Sequence, residues 1–420
     1  MDRLYWIWIS ASVRAGNETF GKLIQRFGTA EAIYSATDDE LAAVIGSRSR
    51  DYRALCDKSL DKAREILDFC ERKSVGILTY ADAEYPEALR SISSPPAVLY
   101  YRGKLPDFNS GMYISMVGTR RLTDYGRRNA FRIGHDLAKA GAVIVSGMAI
   151  GIDGVSHAGS ISAGGVNVAF LGSGIDVCYP PVHLKLAREI VKSGCILTEY
   201  PPHSRPEGYH FPKRNRLIAA LARAIVVIEG TERSGSLITA KFAKEYGKNV
   251  YALPGNVDNK TSEATNLLIK NGARLITNAD DVIADLETSS PGMLNQHKLS
   301  QRASVDMNKV LSELEIACVS ASDGIFETFR SRREKKRADK ALRESGSAES
   351  SESEKPLLDE RKLDDVSRHV YGRIPVDTDI AVDELADDTV DMKGVMRALL
   401  KLEMGRFIVM LPGERVKRNI

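Results

Sequence analysis

Between Tyr113 and Thr277 short apolar runs alternate with helical patterns, and this rhythm limits the fold more than any other feature of the chain. The runs are Tyr113 to Val117, Val143 to Ser146, Val166 to Leu171, Cys195 to Tyr200, Ala224 to Glu229, Asn249 to Leu253 and Arg274 to Thr277. Strands spaced by helical segments are the signature of crossover connections, so the region predicts an α/β architecture with a doubly wound, mostly parallel sheet over residues 112–286.

The flanks read differently. Residues 1–73 carry short helical patterns, with Phe20, Leu23, Ile24 and Phe27 at helical spacing and Gly28 and Gly46 as breaks. Two readings of this helical domain stand: a helix-hairpin-helix-like unit around the Gly46-Ser47 turn, or plain helical packing. No binding role is assigned to it. Residues 74–111, with Tyr85-Pro86 and Pro95-Pro96, read as an extended connector. Residues 287–362 read as a charged, disordered linker, in which Arg330 to Lys340 holds seven basic and two acidic residues and Glu344 to Glu354 is rich in Ser and Glu. The basic block is either a solvated charged segment or an extra nucleic-acid contact. Residues 363–420 resume apolar patterning as three short helices, then a strand (Phe407 to Leu411), a turn at Pro412-Gly413 and basic Arg415, Lys417 and Arg418. That order fits a winged helix, which binds duplex DNA or serves protein contact and packing.

Bulk properties remove several function classes. A chain of 420 residues that is 43% hydrophobic and 27% charged suits a soluble protein of several domains. No run approaches the roughly 18 to 20 apolar residues of a membrane span, and Met1 to Gly16 lacks the basic start and apolar core of a signal peptide, so a cytoplasmic protein with no membrane partner is expected. The five cysteines, Cys56, Cys70, Cys178, Cys195 and Cys318, form no CxxC pair, which argues against zinc and disulfides. A net charge of +3 does not by itself indicate nucleic acid; local clustering has to do so.

Ligands of such sheets bind beyond the carboxyl ends of the strands, so the informative residues follow each strand. After the first run, Gly118-Thr119-Arg120-Arg121 offers backbone N–H groups, a hydroxyl and two guanidinium groups suited to phosphate. After the second, Ser146-Gly147-Met148-Ala149-Ile150-Gly151-Ile152-Asp153 allows a tight turn, and His157 follows Asp153 on one helical face. With no third ligand apparent, that pair reads as architectural and no metal is expected. Gly172-Ser173-Gly174 lacks the third glycine of a dinucleotide fingerprint, and no GxxxxGK[ST] or GxSxG occurs, so no cofactor and no catalytic residue is assigned. The most telling stretch is Tyr209 to Arg216, where Phe211, Lys213, Arg214, Asn215 and Arg216 join an aromatic ring to dense cationic charge at a helix N-terminus, an arrangement that suits an anion. A core role for Phe211 and a pairing of Arg216 with Glu199 or Glu229 are the bland alternatives. Ser234-Gly235-Ser236 opens a further helix, as a cap or as an anion cradle.

Taken in order, Val117 to Arg120, Ser146-Gly147-x-Ala149-x-Gly151-Ile152-Asp153-x-x-x-His157, Phe211-Pro212-x-Arg214-Asn215-Arg216, Ser234 to Ala240 and Pro254-Gly255 resemble the motifs of the DprA/Smf family of DNA-processing proteins. The resemblance covers about Tyr113 to Leu286. It implies a Rossmann-like domain that binds single-stranded DNA without sequence preference, a non-enzymatic protein that protects the strand and helps load the RecA recombinase during natural transformation, and a homodimer. By motif it assigns Gly118 to Arg121, Ser146, Gly147, Lys213 to Arg216 and Ser234 to Ser236 to phosphate binding. Met148 and Ala264-Thr265-Asn266 depart from the family's usual smaller residue and Gly-Thr-Asn. The rival is a nucleotide-processing enzyme related to phosphoribohydrolases, but their PGGxGTxxE motif is absent from Glu229 to Ser236.

Overall fold

Residues 2–295, 305–320 and most of 365–418 are described by the computed structural model. The chain divides into two compact units, Met1–Glu334 and Lys335–Ile420.

The first unit opens with helices α1 (Asp2–Ser12), α2 (Thr19–Phe27), α3 (Ala30–Ser35), α4 (Asp38–Ile45), α5 (Arg50–Cys56) and α6 (Asp61–Arg72). Trp6, Ile7, Trp8 and Ile9 of α1 are all buried, so this helix is the spine against which Phe20, Leu23, Ile33, Leu41 and Leu55 pack. Local signals set the boundaries: Thr37 and Glu40 form a capping box at the start of α4, and Thr29 caps α3. Asp51 is buried but accepts hydrogen bonds from Arg14 Nε (2.7 Å) and Thr19 Oγ1 (2.7 Å), which compensates its charge.

The strands follow as β1 (Gly76–Thr79), β2 (Val98–Gly103), β3 (Tyr113–Val117), β4 (Arg121–Leu122), β5 (Val143–Ser146), β6 (Asn167–Phe170), β7 (Cys195–Thr198), β8 (Ala224–Val227), β9 (Asn249–Ala252) and β10 (Arg274–Leu275). The helices between and after them are α7 (Glu87–Arg90), α8 (Asp124–Lys139), α9 (Ile152–Ser162), α10 (Leu184–Ser193), α11 (His210–Leu221), α12 (Gly235–Glu245), α13 (Glu263–Lys270) and α14 (Ala279–Ser289). Nine strands form one sheet in the order β1-β2-β7-β6-β5-β3-β8-β9-β10. From β7 to β10 every neighbouring pair is parallel. The chain thus winds outward from β3 through β5, β6 and β7, then returns to the other side of β3 for β8 to β10. This is the doubly wound sheet expected from the sequence, and its direction reverses between β3 and β8, where such folds bind ligands.

Both faces of the sheet are covered. Ile114 and Met116 of β3 join a core with Leu137 of α8, Val155 of α9 and Ile190 of α10, whereas Tyr113 and Val117 join Leu217 and Ile218 of α11 and Ala240 of α12. The alternation follows the two-residue period of a strand. Ser115 is buried without penalty because its hydroxyl donates to the Ile218 carbonyl at 2.8 Å.

Two stretches differ from the sequence reading. The 74–111 connector contributes β1 and β2, antiparallel strands that extend the sheet beyond β7, with Leu99 and Tyr100 fully buried. Within the 287–362 segment, residues 305–320 form α15 (Met307–Glu313) and β11 (Val319–Ser320), the latter parallel to β4. The physical reason is an apolar island, Leu311, Leu314, Ile316 and Ala317, which is buried against the first unit. Residues 321–364, including the basic and Ser/Glu-rich blocks, lie outside the described residues.

The second unit holds α16 (Asp365–Arg373) and strands β12 (Ile380–Ala381), β13 (Ile408–Leu411) and β14 (Arg415–Arg418), antiparallel in the order β12-β14-β13. Val370, Ile374, Leu385, Leu399, Leu402 and Val416 form its core. Helix followed by a small antiparallel sheet is the winged-helix order; the expected third helix lies partly outside the described residues. Among the described residues no helix is long and apolar enough to cross a membrane.

His157 on α9 is completely buried, and its Nδ1–H donates to Asn167 Oδ1 at 2.9 Å while Nε2 has no hydrogen-bond partner. Burial pushes its pKa from 6.5 down to about 4. The unfolded chain therefore takes up a proton that the folded chain refuses, so this stability is complete above about pH 6.5 and is lost, by roughly 3 kcal/mol, as pH falls toward about 4. Urea unfolding of a His157→Gln variant is expected to show a shallower fall in stability between pH 7 and 4.5 than the parent; parallel curves would contradict this.

Candidate nucleic-acid interface

The reversal between β3 and β8 opens a cleft of about 470 Å³. One wall is the turn Gly118 to Arg120; the other is Thr231 and Ser234 to Ser236, leading into α12; Arg214 and Asn215 of α11 lie at the bottom, and Tyr179 and Phe211 stand at the mouth. The first wall is fixed by its backbone. Thr119 N–H donates to the Glu229 carbonyl at 2.8 Å, and a Cβ on Gly118 would lie 2.5 Å from Ile152 Cγ1 and 2.9 Å from that same carbonyl, so only glycine fits.

Arg214 is a buried cation. Its Nη1 donates to the carbonyls of Gly147 (2.9 Å) and Phe170, and its Nε donates to Asn215 Oδ1 at 3.2 Å. Asp153, whose carboxylate accepts the Gly147 N–H at 3.1 Å, supplies the nearby negative charge. Burial pushes the guanidinium down to about 10 and the Asp153 carboxyl up from its usual range, each partly offset by the other's charge. Arg214 therefore stays charged at neutral pH. Gly147 makes room for it, since a Cβ there would sit 2.3 Å from Arg214 Nη1.

At the mouth, the exposed Arg120 guanidinium lies 5.2 Å from the centre of the Phe211 ring, which in turn is 5.4 Å from that of Tyr179. Cationic and aromatic groups thus form one surface. On the opposite wall Ser234 does cap α12, accepting the Ser236 N–H at 3.4 Å, while the same turn lines the cleft. Asn215 Nδ2 donates to the Gly235 carbonyl at 3.2 Å and ties α11 to this wall.

The structure brings together Gly118, Thr119, Arg120, Phe211, Arg214, Asn215, Ser234, Gly235 and Ser236. It separates five other residues named from the sequence. Arg216 points away, two residues round the helix from Arg214, and pairs with Glu199 at 2.6 and 2.7 Å in a site where both side chains are only 3% and 4% exposed. Lys213 Nζ donates to the Ala15 carbonyl at 3.0 Å and Asn17 Oδ1 at 3.3 Å, which turns it toward the helical segment. Ser146 is fully buried, its hydroxyl given to the Met116 carbonyl at 2.6 Å. Gly147 supports Arg214, and Arg121 is exposed on β4 outside the cleft lining. Conversely, Tyr179 and Thr231 line the cleft without having been singled out as site residues, and Asp153, read from the sequence as architectural, lines it as well; the Tyr179-Pro180-Pro181 turn was a signal for the first.

Glu229, the buried acid that opens the stretch compared with the rival enzyme's motif, lies outside the cleft lining. Its carboxylate accepts hydrogen bonds from Thr123 N (3.0 Å), Thr123 Oγ1 (2.6 Å) and Thr261 Oγ1 (2.8 Å). Among the described residues no group of three or more His, Cys, Asp and Glu could hold a metal ion.

Removing one partner of a buried ion pair strands the other charge, at a cost of about 3–5 kcal/mol. Arg216→Ala is expected to lower stability by that order in urea unfolding, and Glu199→Leu combined with Arg216→Met should recover most of it. A marginal loss in the single variant would contradict the structural role.

Residues 76–287 match the family model described as DNA recombination-mediator protein A, a span that contains all nine strands of the sheet. Protein Smf of Synechocystis is 37% identical over 293 residues, covering 68% of this chain and 73% of that protein. The DNA processing protein DprA of Bacillus subtilis is 38% identical over 225 residues, 54% of this chain and 76% of that one. In three dimensions the X-ray structure of DprA from Streptococcus pneumoniae superposes with a TM-score of 0.59 at 31% identity, covering 67% of this chain and 96% of that chain. With the sheet matched along its whole length and relatives this close, the chain belongs to the DprA/Smf family of DNA-processing proteins.

Proposed function

We propose that the cleft between β3 and β8 binds single-stranded DNA without base preference, and that the protein thereby protects the strand and promotes RecA loading in DNA uptake (natural transformation) and recombination. The observation that carries this reading is the Arg120–Phe211–Tyr179 surface at the mouth of a cleft whose bottom holds a guanidinium charged at neutral pH. Cations hold phosphates, and aromatic faces stack on bases of any identity. Stacking needs bases whose faces are free, which a duplex does not offer. The family's description as a recombination mediator supports the RecA role. The protein acts by binding rather than turnover, a reading consistent with the enclosure of Glu229 away from the cleft, and it works in the cytoplasm, where the strand and the recombinase meet.

A homodimer is part of the proposal. β10 is one of the two edge strands of the sheet, its Leu275 is 53% exposed and Leu267 of α13, just before it in the chain, is 40% exposed, a surface that a second copy would cover.

With about four phosphates neutralised, the single-strand slope of roughly −0.7 per contact gives an affinity about 50-fold weaker at 200 mM than at 50 mM salt. Fluorescence anisotropy across a salt series tests this, and a flat response would contradict it. Arg120→Ala should reduce the slope by about 0.7 for every sequence alike, and Phe211→Ala should cost about 1–3 kcal/mol of binding. Losses confined to particular bases would point to base readout instead.

A further inference from the structure

The cleft walls are held from behind by His183 and by residues 305–320, the latter outside the stretch that the family model matches. The turn Gly147 to Gly151 carries Ala149 in the cleft lining. Behind it the Met148 carbonyl accepts from Nδ1 of His183, fully buried, at 3.0 Å. A ring that donates at Nδ1 and stays neutral accepts at Nε2, and there it receives the Ala317 N–H at 3.2 Å. The Ala317 carbonyl then accepts the Gly151 N–H at 3.3 Å. Met148 and Gly151 are thus bridged through His183 and Ala317. Met148 holds a left-handed backbone (φ 53°) although it is not glycine and is completely buried. Such a conformation persists only where its surroundings over-determine it.

The same segment reaches Arg120. Gly151 (φ 88°) presses on the neighbouring turn so closely that a Cβ would lie 2.4 Å from the Thr119 oxygen and 2.8 Å from Arg120 Cα. Immediately after Arg120, β4 is paired with β11, Arg121 against Val319 and Leu122 against Ser320. The Arg120 turn is therefore wedged between Gly151 and β11. Burial of Leu311, Leu314 and Ile316 in the core of the first unit anchors the segment.

We propose that His183 and residues 305–320 form a clamp, a set of positioning residues that holds the Arg120 turn and the Gly147–Gly151 turn in the shape a single strand requires. The clamp itself follows from these contacts; its consequence for affinity rests on the DNA-binding reading.

The test uses the full-length chain and three variants: Leu311→Asp with Leu314→Asp, which removes the anchor; Ala317→Pro, which removes the donated N–H and fixes the backbone there while leaving the anchor side chains in place; and His183→Gln, whose amide offers both a donor and an acceptor. Hydrogen exchange is followed in 118–122 and 147–153, with β8 as the internal control. The expected result is faster exchange in both turns, by about tenfold or more, for the first two variants, with β8 unchanged and His183→Gln nearer the parent. In single-strand binding the first two should also lose about 0.7 of the salt slope, the mark of one missing phosphate contact, which a general loss of stability would not produce. Unchanged exchange in the two turns when the segment is released would overturn the clamp. Faster exchange with the parent's affinity and slope would overturn its role in binding. If the parent binds no DNA, the functional reading falls, and the exchange result alone decides the clamp.

Discussion

The placement of one guanidinium organises this structure. Arg214 is buried where the loops after β5 and β6 meet α11, and its bonds to the Gly147 and Phe170 carbonyls join three elements that are distant in sequence. A charge so placed is expensive to desolvate, and it is compensated by two carbonyls, an amide and the Asp153 carboxylate rather than by one tight salt bridge. The cation therefore remains one lining group of an open cleft. With the guanidinium where it is, a side chain at Gly147 would displace it, since a Cβ there would lie 2.3 Å from Arg214 Nη1.

Around that centre, neighbouring cations of the same helix take unrelated tasks. Lys213, Arg214 and Arg216 face the helical segment, the cleft and the Glu199 pair respectively. A helix turns about 100° per residue, so three cations within four residues cannot share one face. The first fastens the N-terminal helices to the sheet domain, the third ties α11 to Glu199, the residue just after β7, and only the second lines the cleft. What looks like a single basic patch is a junction. The groups that line the cleft and suit an anion, Arg214, Arg120 and the turn that opens α12, are supplied by three separate elements.

The sheet was legible because buried parallel strands must be apolar along their length and must be spaced by crossover helices, which leaves a rhythm that no helical domain imitates. β1 and β2 were not legible in the same way. They are short, prolines intervene, and their place depends on antiparallel pairing with β7, a contact nearly a hundred residues away that leaves no local pattern. Likewise Leu311, Leu314 and Ile316 form too small an island to stand out from a charged segment, yet they suffice to dock it once the sheet exists. For the site, the turns after the strands were found because their position is a property of the fold. Which side chain faces the cleft was not, since a step of two residues round a helix exchanges a cleft-lining side chain for one buried in an ion pair, as Arg214 and Arg216 show.

The central claim is that unpaired bases and their phosphates fit this cleft. The most direct measurement is the affinity of the full-length chain for one oligonucleotide as a single strand and as its blunt duplex, by anisotropy at the same salt concentration. Markedly tighter binding of the single strand, with little change when its base sequence is scrambled, is the expected result. Equal affinity for the duplex, or no binding to either form, would contradict it.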